Sequence, residues 1–278
     1  MKIETILTPA ELPALAQRDL RATACVVFDV LRATSTFVTA LHNGAKAVIP
    51  VSEIAEAIAL KNSKLEIKNS KSILLGGERN GVRISAGGID FDLGNSPREY
   101  TPEKVRGKTI VSTTTNGTRA LRACANAQTV LAASFLNLTA TAEFLLQNKF
   151  ETVLLICAGT GENQADEDML AAGALCELLG VGRAVLCPPP SVVSTSANPE
   201  ASDGAHGVTR PTFADSTQIA RRAWLAAQPD LSAAVCKSEN ARRLLAIPEL
   251  RDDVAFCLQH DVFPLIAQMG VDGTIRKI

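Results

Sequence analysis

Five polar clusters, each lying just after an apolar run, hold the chemistry this chain could perform. Asp29-Val30-Leu31-Arg32-Ala33-Thr34-Ser35-Thr36 joins a carboxylate to a guanidinium and three hydroxyls. At a helix start, free N–H groups with an Arg fork and hydroxyl donors would hold a phosphate or sulfonate. A cap by Thr34 or Ser35 beside a surface Arg explains the same residues equally well. Gly76-Gly77-Glu78-Arg79-Asn80-Gly81 sets a metal ligand or base next to an anion binder, and Gly94-Asn95-Ser96-Pro97 offers further polar groups. Turns alone would also produce both strings. Ser112-Thr113-Thr114-Thr115-Asn116-Gly117-Thr118-Arg119 is dense in hydroxyls and closed by an Arg, and favours an anion site at a helix start. Ser134-Phe135-Leu136-Asn137 reads more simply as a helix cap, and Cys157-Ala158-Gly159-Thr160-Gly161 leads to Asp166-Glu167-Asp168. Those three acids complement a helix dipole, and Glu167 and Asp168 could also bind Mg²⁺, which prefers oxygen ligands. Cys157 is either a nucleophile or, more simply, packing.

The elements that would carry these clusters are nearly continuous hydrophobic runs at 24–30, 46–51, 72–78, 108–115, 128–135, 152–159 and 183–188. Such runs read as strands covered on both faces. Helical spacing occupies 34–43, 52–62, 117–126, 138–148 and 166–179, with Ser52 and Thr101-Pro102 as helix starts. The alternation predicts an α/β fold: a layered, mainly parallel sheet with crossover helices, in which ligands lie beyond the carboxyl ends of strands. Residues 1–187 read as the main core and 188–212, rich in Pro, Ser, Ala and Gly, as a mobile excursion. Residues 213–278 read as a C-terminal α/β part packed on the core, either a small lobe or continuous with it, in which 253–259 looks like one more strand.

Composition narrows the partners. Among 278 residues, 28 Lys and Arg balance 29 Asp and Glu, so a basic stripe for nucleic acid is not expected. The first twenty residues carry Glu4, Pro9, Glu11 and Pro13 where an export signal needs an unbroken apolar stretch, and no run is long enough to span a bilayer. Seven cysteines without a C-x-x-C pair suit buried reduced thiols in a cytoplasmic protein, and three scattered histidines disfavour zinc. Neither G-x-x-x-x-G-K-[ST] nor G-x-G-x-x-G occurs, which with the 4% aromatic content disfavours nucleotide binding. A small anionic ligand is the better expectation, and a homodimer is compatible with it.

Taken together and in order, VVFDVLRATSTFVTALHNGA, GERNG, FDLGNSPREYT, TTTNGTRAL, SFLN and ICAGTGENQADEDMLAAGAL resemble the 2-phosphosulfolactate phosphatase family over residues 24–180. Asp215 and DVAFCLQHD look family-like as well. Ser238-Glu239-Asn240 stands where a Ser-x-His-like element is expected, and 188–212 is longer than the usual connection. The resemblance implies a Mg²⁺-dependent phosphoric monoester hydrolase that converts (2R)-2-phospho-3-sulfolactate, a small multiply anionic ester of coenzyme M-type metabolism, to 3-sulfolactate and phosphate. It implies Asp29, Glu78, Glu167 and Asp168 as metal ligands, with Asp29, Glu78 and Asp168 doing the catalytic work. Arg32, Thr34, Ser35, Thr36, Arg79, Asn95, Ser96, Thr114, Thr115, Asn116, Gly117, Arg119, Ser134 and Asn137 would bind substrate. Asp29-x-Leu31-x-x-Thr34 is superficially similar to the D-x-D-x-T of haloacid-dehalogenase phosphatases, but Leu31 replaces the second Asp, so that acid relay cannot operate. A phosphatase for another small phosphorylated hydroxy acid and a non-catalytic anion-binding module are the alternatives.

Overall fold

Alternate residues of one strand go to two different cores. In the strand Thr23–Phe28, Ala24, Val26 and Phe28 pack into one hydrophobic cluster while Cys25 and Val27 pack into a second. Thr152–Cys157 divides the same way, with Val153, Leu155 and Cys157 opposite Leu154 and Ile156. Period-two side chains with both faces buried leave no polar alternation, which explains the continuous apolar runs. The computed structural model describes residues 1–65, 72–86, 89–148, 150–181 and 211–278.

Its strands are β1 (Lys2–Ile6), β2 (Thr23–Phe28), β3 (Ala47–Pro50), β4 (Ile73–Arg79), β5 (Val82–Arg83), β6 (Ser85–Ala86), β7 (Ile89–Asp90), β8 (Thr109–Thr113), β9 (Thr129–Ala133), β10 (Thr152–Cys157), β11 (Thr212–Phe213), β12 (Ala267–Met269) and β13 (Ile275–Lys277). The α-helices are α1 (Leu12–Leu15), α2 (Ala33–His42), α3 (Ile54–Leu65), α4 (Pro102–Val105), α5 (Gly117–Ala123), α6 (Leu138–Gln147), α7 (Asp166–Val181), α8 (Asp215–Ala227), α9 (Leu231–Val235), α10 (Glu239–Leu245) and α11 (Arg251–Cys257). Among the described residues, eleven strands form one sheet in the order β11-β1-β10-β2-β9-β12-β13-β3-β8-β4-β5. The runs β11-β1-β10-β2-β9 and β3-β8-β4 are parallel. The antiparallel hairpin β12–β13 sits between them, paired to β9 on one side and to β3 on the other. The molecule is therefore α/β with a mixed, mostly parallel sheet. Three antiparallel steps make the two parallel runs point in opposite directions along the sheet, yet Asp29, after β2, and Glu78, in β4, line one cleft.

The strands expected at 24–30, 46–51, 72–78, 108–115, 128–135 and 152–159 are present as β2, β3, β4, β8, β9 and β10, and all five expected helices are present. The strand expected at 183–188, and most of 188–212, lie outside the described residues. Residues 253–259 are not a strand. Residues 253–257 belong to α11 and 258–259 follow it; Val254 and Cys257 are buried one helical turn apart behind a first turn containing Asp252 and Asp253. Two expected caps differ as well. Helix α3 starts at Ile54 and the Ser52 hydroxyl accepts from Arg122 instead, while Thr101 precedes Pro102 without bonding the helix through its side chain.

The C-terminal helices share the core of the sheet. Trp224, Leu231, Val235, Leu244 and Val254 belong to the same cluster as β2 and β10. Helices α7 and α8 pack so closely that a Cβ on Gly173 would lie 2.2 Å from the Ala220 carbonyl oxygen. Cys25, Cys124, Cys157, Cys176 and Cys257 are buried free thiols and Cys236 is half-buried. Among the described residues no helix is long and apolar enough to cross a membrane.

Candidate active site

Asp29 is the first residue past β2, where the chain turns into α2. Thr34 fixes this turn: its hydroxyl donates to the Asp29 carbonyl (3.0 Å) and accepts from the Asp29 N–H (3.0 Å). The carboxylate accepts from the Ala33 N–H at 3.0 Å and from the Gly117 N–H. Gly117 has no room for a side chain, since a Cβ there would meet Asp29 Oδ2 at 2.7 Å. Burial, with the charges of Glu78 and Glu167 nearby, pushes the Asp29 carboxyl up to about 6, even though the two amides favour its anion.

Three more acids surround it. Glu78, at the end of β4, accepts from the Thr115 N–H (3.1 Å) and hydroxyl (3.0 Å) through Oε1 and from the Gly81 N–H (2.7 Å) through Oε2. Asp168, in the first turn of α7, accepts from the N–H groups of Val30 (2.8 Å) and Gly159 (3.0 Å), thereby tying two strand-end loops together. Burial, then Asp29 and Glu167, drive its carboxyl well up. Glu167 is also raised, chiefly by burial; Asn240 donates to its Oε1 at 2.7 Å, and its buried Oε2 has no partner.

Asp29 and Glu78 line a cleft of about 240 Å³ together with Arg32, Asn80, Gly81, Asn95, Thr114, Thr115, Asn116, Thr160, Asn240 and Arg243. The Leu31–Arg32 peptide is cis. Arg32 is almost fully buried; its guanidinium donates to Asp253 Oδ2 (2.8 Å) and to the Gly81 carbonyl (2.9 Å). Asp253 is wholly buried and accepts in addition from the Ser96 hydroxyl at 2.7 Å. Two N–H groups of Arg32 are so occupied, and the others remain for a ligand.

Several expected site residues serve the scaffold instead. The hydroxyls of Thr34, Ser35 and Thr36 are fully buried and bond the carbonyls of Asp29, Val30 (2.8 Å) and Asn95 (2.8 Å). Helix α2 is enclosed on all sides, so its polar side chains must bond inward. Arg79 points to the Ser52 carbonyl (3.1 Å) and Thr113 hydroxyl (3.0 Å), because neighbours on a strand face opposite ways and Glu78 takes the cleft side. Arg119 pairs with Glu162 (2.7 Å) and the Gly161 carbonyl (3.2 Å) outside the cleft. Ser96 supports Asp253, and Asn137 accepts from the Ser134 N–H (3.0 Å) and donates to the Leu265 carbonyl (3.2 Å), so neither it nor Ser134 lines the cleft. Cys157 is buried and its thiol is pushed well up by burial and by neighbouring acids, as expected of packing rather than a nucleophile.

The geometry also narrows the expected metal ligands. Among the described residues no three His, Cys, Asp or Glu side chains form a ready-made cage. Mg²⁺ needs none, since it keeps several waters and commonly takes one or two carboxylates plus phosphate oxygens. Glu78 is held by three donors, and each oxygen of Asp168 accepts from a backbone N–H. Asp29 faces the cleft, and Glu167, which lines the adjoining cavity that shares Thr160 and Asn240 with it, keeps an unpartnered buried oxygen; these are the acids with capacity for a cation, and their mutual repulsion favours one.

Asp253, Asn240 and Arg243 were not anticipated from sequence. Each is a polar residue on a short C-terminal helix and looks like part of a solvated face. The available signals were the family-like DVAFCLQHD, which begins at Asp253, the Ser-x-His-like position of Ser238-Glu239-Asn240, and the i, i+3 spacing of Val254 and Cys257, which marks 251–257 as a helix with Asp253 in its first turn.

The family model for 2-phosphosulpholactate phosphatase matches residues 7–270. A probable 2-phosphosulfolactate phosphatase from Thermotoga maritima is 38% identical over 87% of this chain and 86% of its own length. Another from Pseudothermotoga lettingae is 38% identical over 91% of this chain and 92% of its own. One from Caldanaerobacter subterraneus subsp. tengcongensis is 48% identical over 60% of this chain, and the match spans 65% of that relative, just under two thirds. With a family model covering nearly its whole length, the chain belongs to the 2-phosphosulpholactate phosphatase family.

Proposed function

We propose that this protein is a Mg²⁺-dependent phosphatase that hydrolyses (2R)-2-phospho-3-sulfolactate to 3-sulfolactate and inorganic phosphate, in sulfolactate metabolism of the coenzyme M type. The observation that carries the reading is the convergence, in one cleft, of the buried Asp29 carboxylate with an immobilised guanidinium. Phosphoryl transfer asks a protein mainly for positioning and charge stabilisation. Arg32, held by Asp253 and the Gly81 carbonyl, supplies a fixed fork for phosphoryl oxygens. Asn95, whose buried Oδ1 lacks a partner, and Asn116 add polar contacts around it. Asp29, at the cleft wall with Arg32, accepts a proton from the attacking water. Asp29 and Glu167 would hold Mg²⁺, which when bound supplies Lewis-acid neutralisation of the phosphoryl oxygens. The buried free thiols support a reducing, cytoplasmic setting.

Phosphate release from 2-phosphosulfolactate, phospholactate and phosphoglycolate, with Mg²⁺ and with chelator, tests the reading. Turnover should favour 2-phosphosulfolactate and vanish with chelator. Preference for a different phosphorylated acid would transfer the activity to that substrate, and tight ester binding without phosphate release would make the protein an anion-binding module. Asp29→Asn should lower kcat by about 10²–10⁴-fold, the usual worth of a general base, and full Mg²⁺-dependent turnover in Asp29→Ala would remove Asp29 from the mechanism.

A further inference from the structure

The cleft is short of free positive charge for a ligand with three anionic groups. Among its described lining residues the cations are Arg32 and Arg243, against the carboxylates of Asp29 and Glu78. Arg32 is already compensated by Asp253 at 2.8 Å. Arg243 forms no ion pair with a described acid. Its guanidinium instead donates to Asn240 Oδ1 on the same helix. Asn240 is itself clamped, donating to the Thr160 hydroxyl (2.6 Å) and to Glu167 Oε1 (2.7 Å). An exposed arginine is thus held at the cleft by a neutral side chain, which fixes its position without cancelling its charge.

The substrate's shape says which group it meets. Measured from the ester oxygen, the sulfonate sulfur lies one bond farther along the carbon skeleton than the carboxylate carbon. A phosphoryl group beside buried Asp29 and Arg32 leaves Arg243, on α10 at the same cleft, as the remaining lining cation for the ester's other anions, of which the sulfonate has the longer reach. We infer that Arg243 is the specificity-determining residue of this site, reading the sulfonate, with Asn240 as its positioning residue. The inference rests on the phosphatase reading and names a part of the substrate that reading leaves unassigned. A planar fork of donors suits an oxyanion with three equivalent oxygens, and a charge-assisted contact of this kind is worth about tenfold to hundredfold in affinity.

The test compares 2-phosphosulfolactate with phospholactate, which lacks the sulfonate, in wild type, Arg243→Ala and Arg243→Lys with Mg²⁺ present. In Arg243→Ala the KM for 2-phosphosulfolactate should rise about 10- to 100-fold with a much smaller change in kcat. The ratio of kcat/KM between the two substrates should fall by at least about tenfold, and Arg243→Lys, which keeps the charge but not the fork, should lie between. Asn240→Ala should shift the same ratio in the same direction. A ratio within about twofold of wild type in Arg243→Ala, or an equal loss on both substrates, overturns the inference while leaving the phosphatase reading intact. Failure of wild type to release phosphate from 2-phosphosulfolactate overturns both.

Discussion

Asp253 shows what a single residue contributes from behind the cleft, wholly buried and outside its lining. One buried carboxylate satisfies the Arg32 guanidinium and the Ser96 hydroxyl, and so joins the segment after β2, the turn after Gly94 and α11. Breaking a buried pair by removing one partner typically costs about 3–5 kcal/mol, because the other charge stays buried. Asp253→Ala should therefore lower the unfolding free energy by about that amount in urea titrations, and Asp253→Asn, which preserves an acceptor for Ser96, by less. A loss within about 0.5 kcal/mol for Asp253→Ala would mean that Arg32 finds another partner or water. Asp29 and Glu78 were legible in the sequence because acids directly after apolar runs stand out at strand ends. Arg79 and Arg119 were misplaced for a simple geometric reason: Arg79 adjoins Glu78 on a strand, and Arg119 lies two helical positions after Gly117, so each faces away from the group that sets the cleft side.

At the scale of elements, the parallel strands and crossover helices were readable because double-sided burial writes itself as unbroken hydrophobicity. The C-terminal region was less so. Short runs such as 253–259 do not separate strand from helix by hydrophobicity alone, and no local feature places β12–β13 in the middle of the sheet, since their partners β9 and β3 are far away in sequence. Helix α8 had clear helical spacing, but its intimate docking on α7 depends on Gly173, which from sequence is only a helix-weakening residue. In an open helix Gly→Ala would stabilise by about 1 kcal/mol. Here the new Cβ would sit 2.2 Å from the Ala220 oxygen and 2.8 Å from Trp224 Cβ, so the helices must separate. Overpacking costs about 1–3 kcal/mol, and Gly173→Ala should be destabilised overall. A denaturation midpoint at or above wild type would show that α7 and α8 are free to slide apart.

Across the whole molecule, the buried acids Asp29, Glu167 and Asp168 couple stability to pH. Asp29 ordinarily titrates near 3.8 but is pushed up to about 6, and Asp168 and Glu167 are raised by the same burial and mutual repulsion. Between those values the folded protein binds more protons than the unfolded chain, so the contribution of this cluster falls as pH rises from about 4 through about 6. Glu4, Asp19 and Asp272, held low by Arg18, Arg21 and Arg276, have the opposite sign, but lose their contribution only below their ordinary range. His42 and His260, lowered mainly by burial, also oppose the trend near pH 6, so wild type is best read against Asp29→Asn. In chelator, moving from pH 5 to pH 7.5 should lower Tm for wild type more than for Asp29→Asn, by at least about 2–4 °C, the shift expected from each kcal/mol at this size. Mg²⁺ held by Asp29 and Glu167, as proposed, would need both ionised, so it should raise the wild-type Tm more at pH 7.5 than at pH 5 and have a smaller effect on Asp29→Asn. An equal pH response in both proteins would show that Asp29 titrates as an ordinary carboxylate, and a Mg²⁺ effect that does not grow with pH would place the cation away from this cluster.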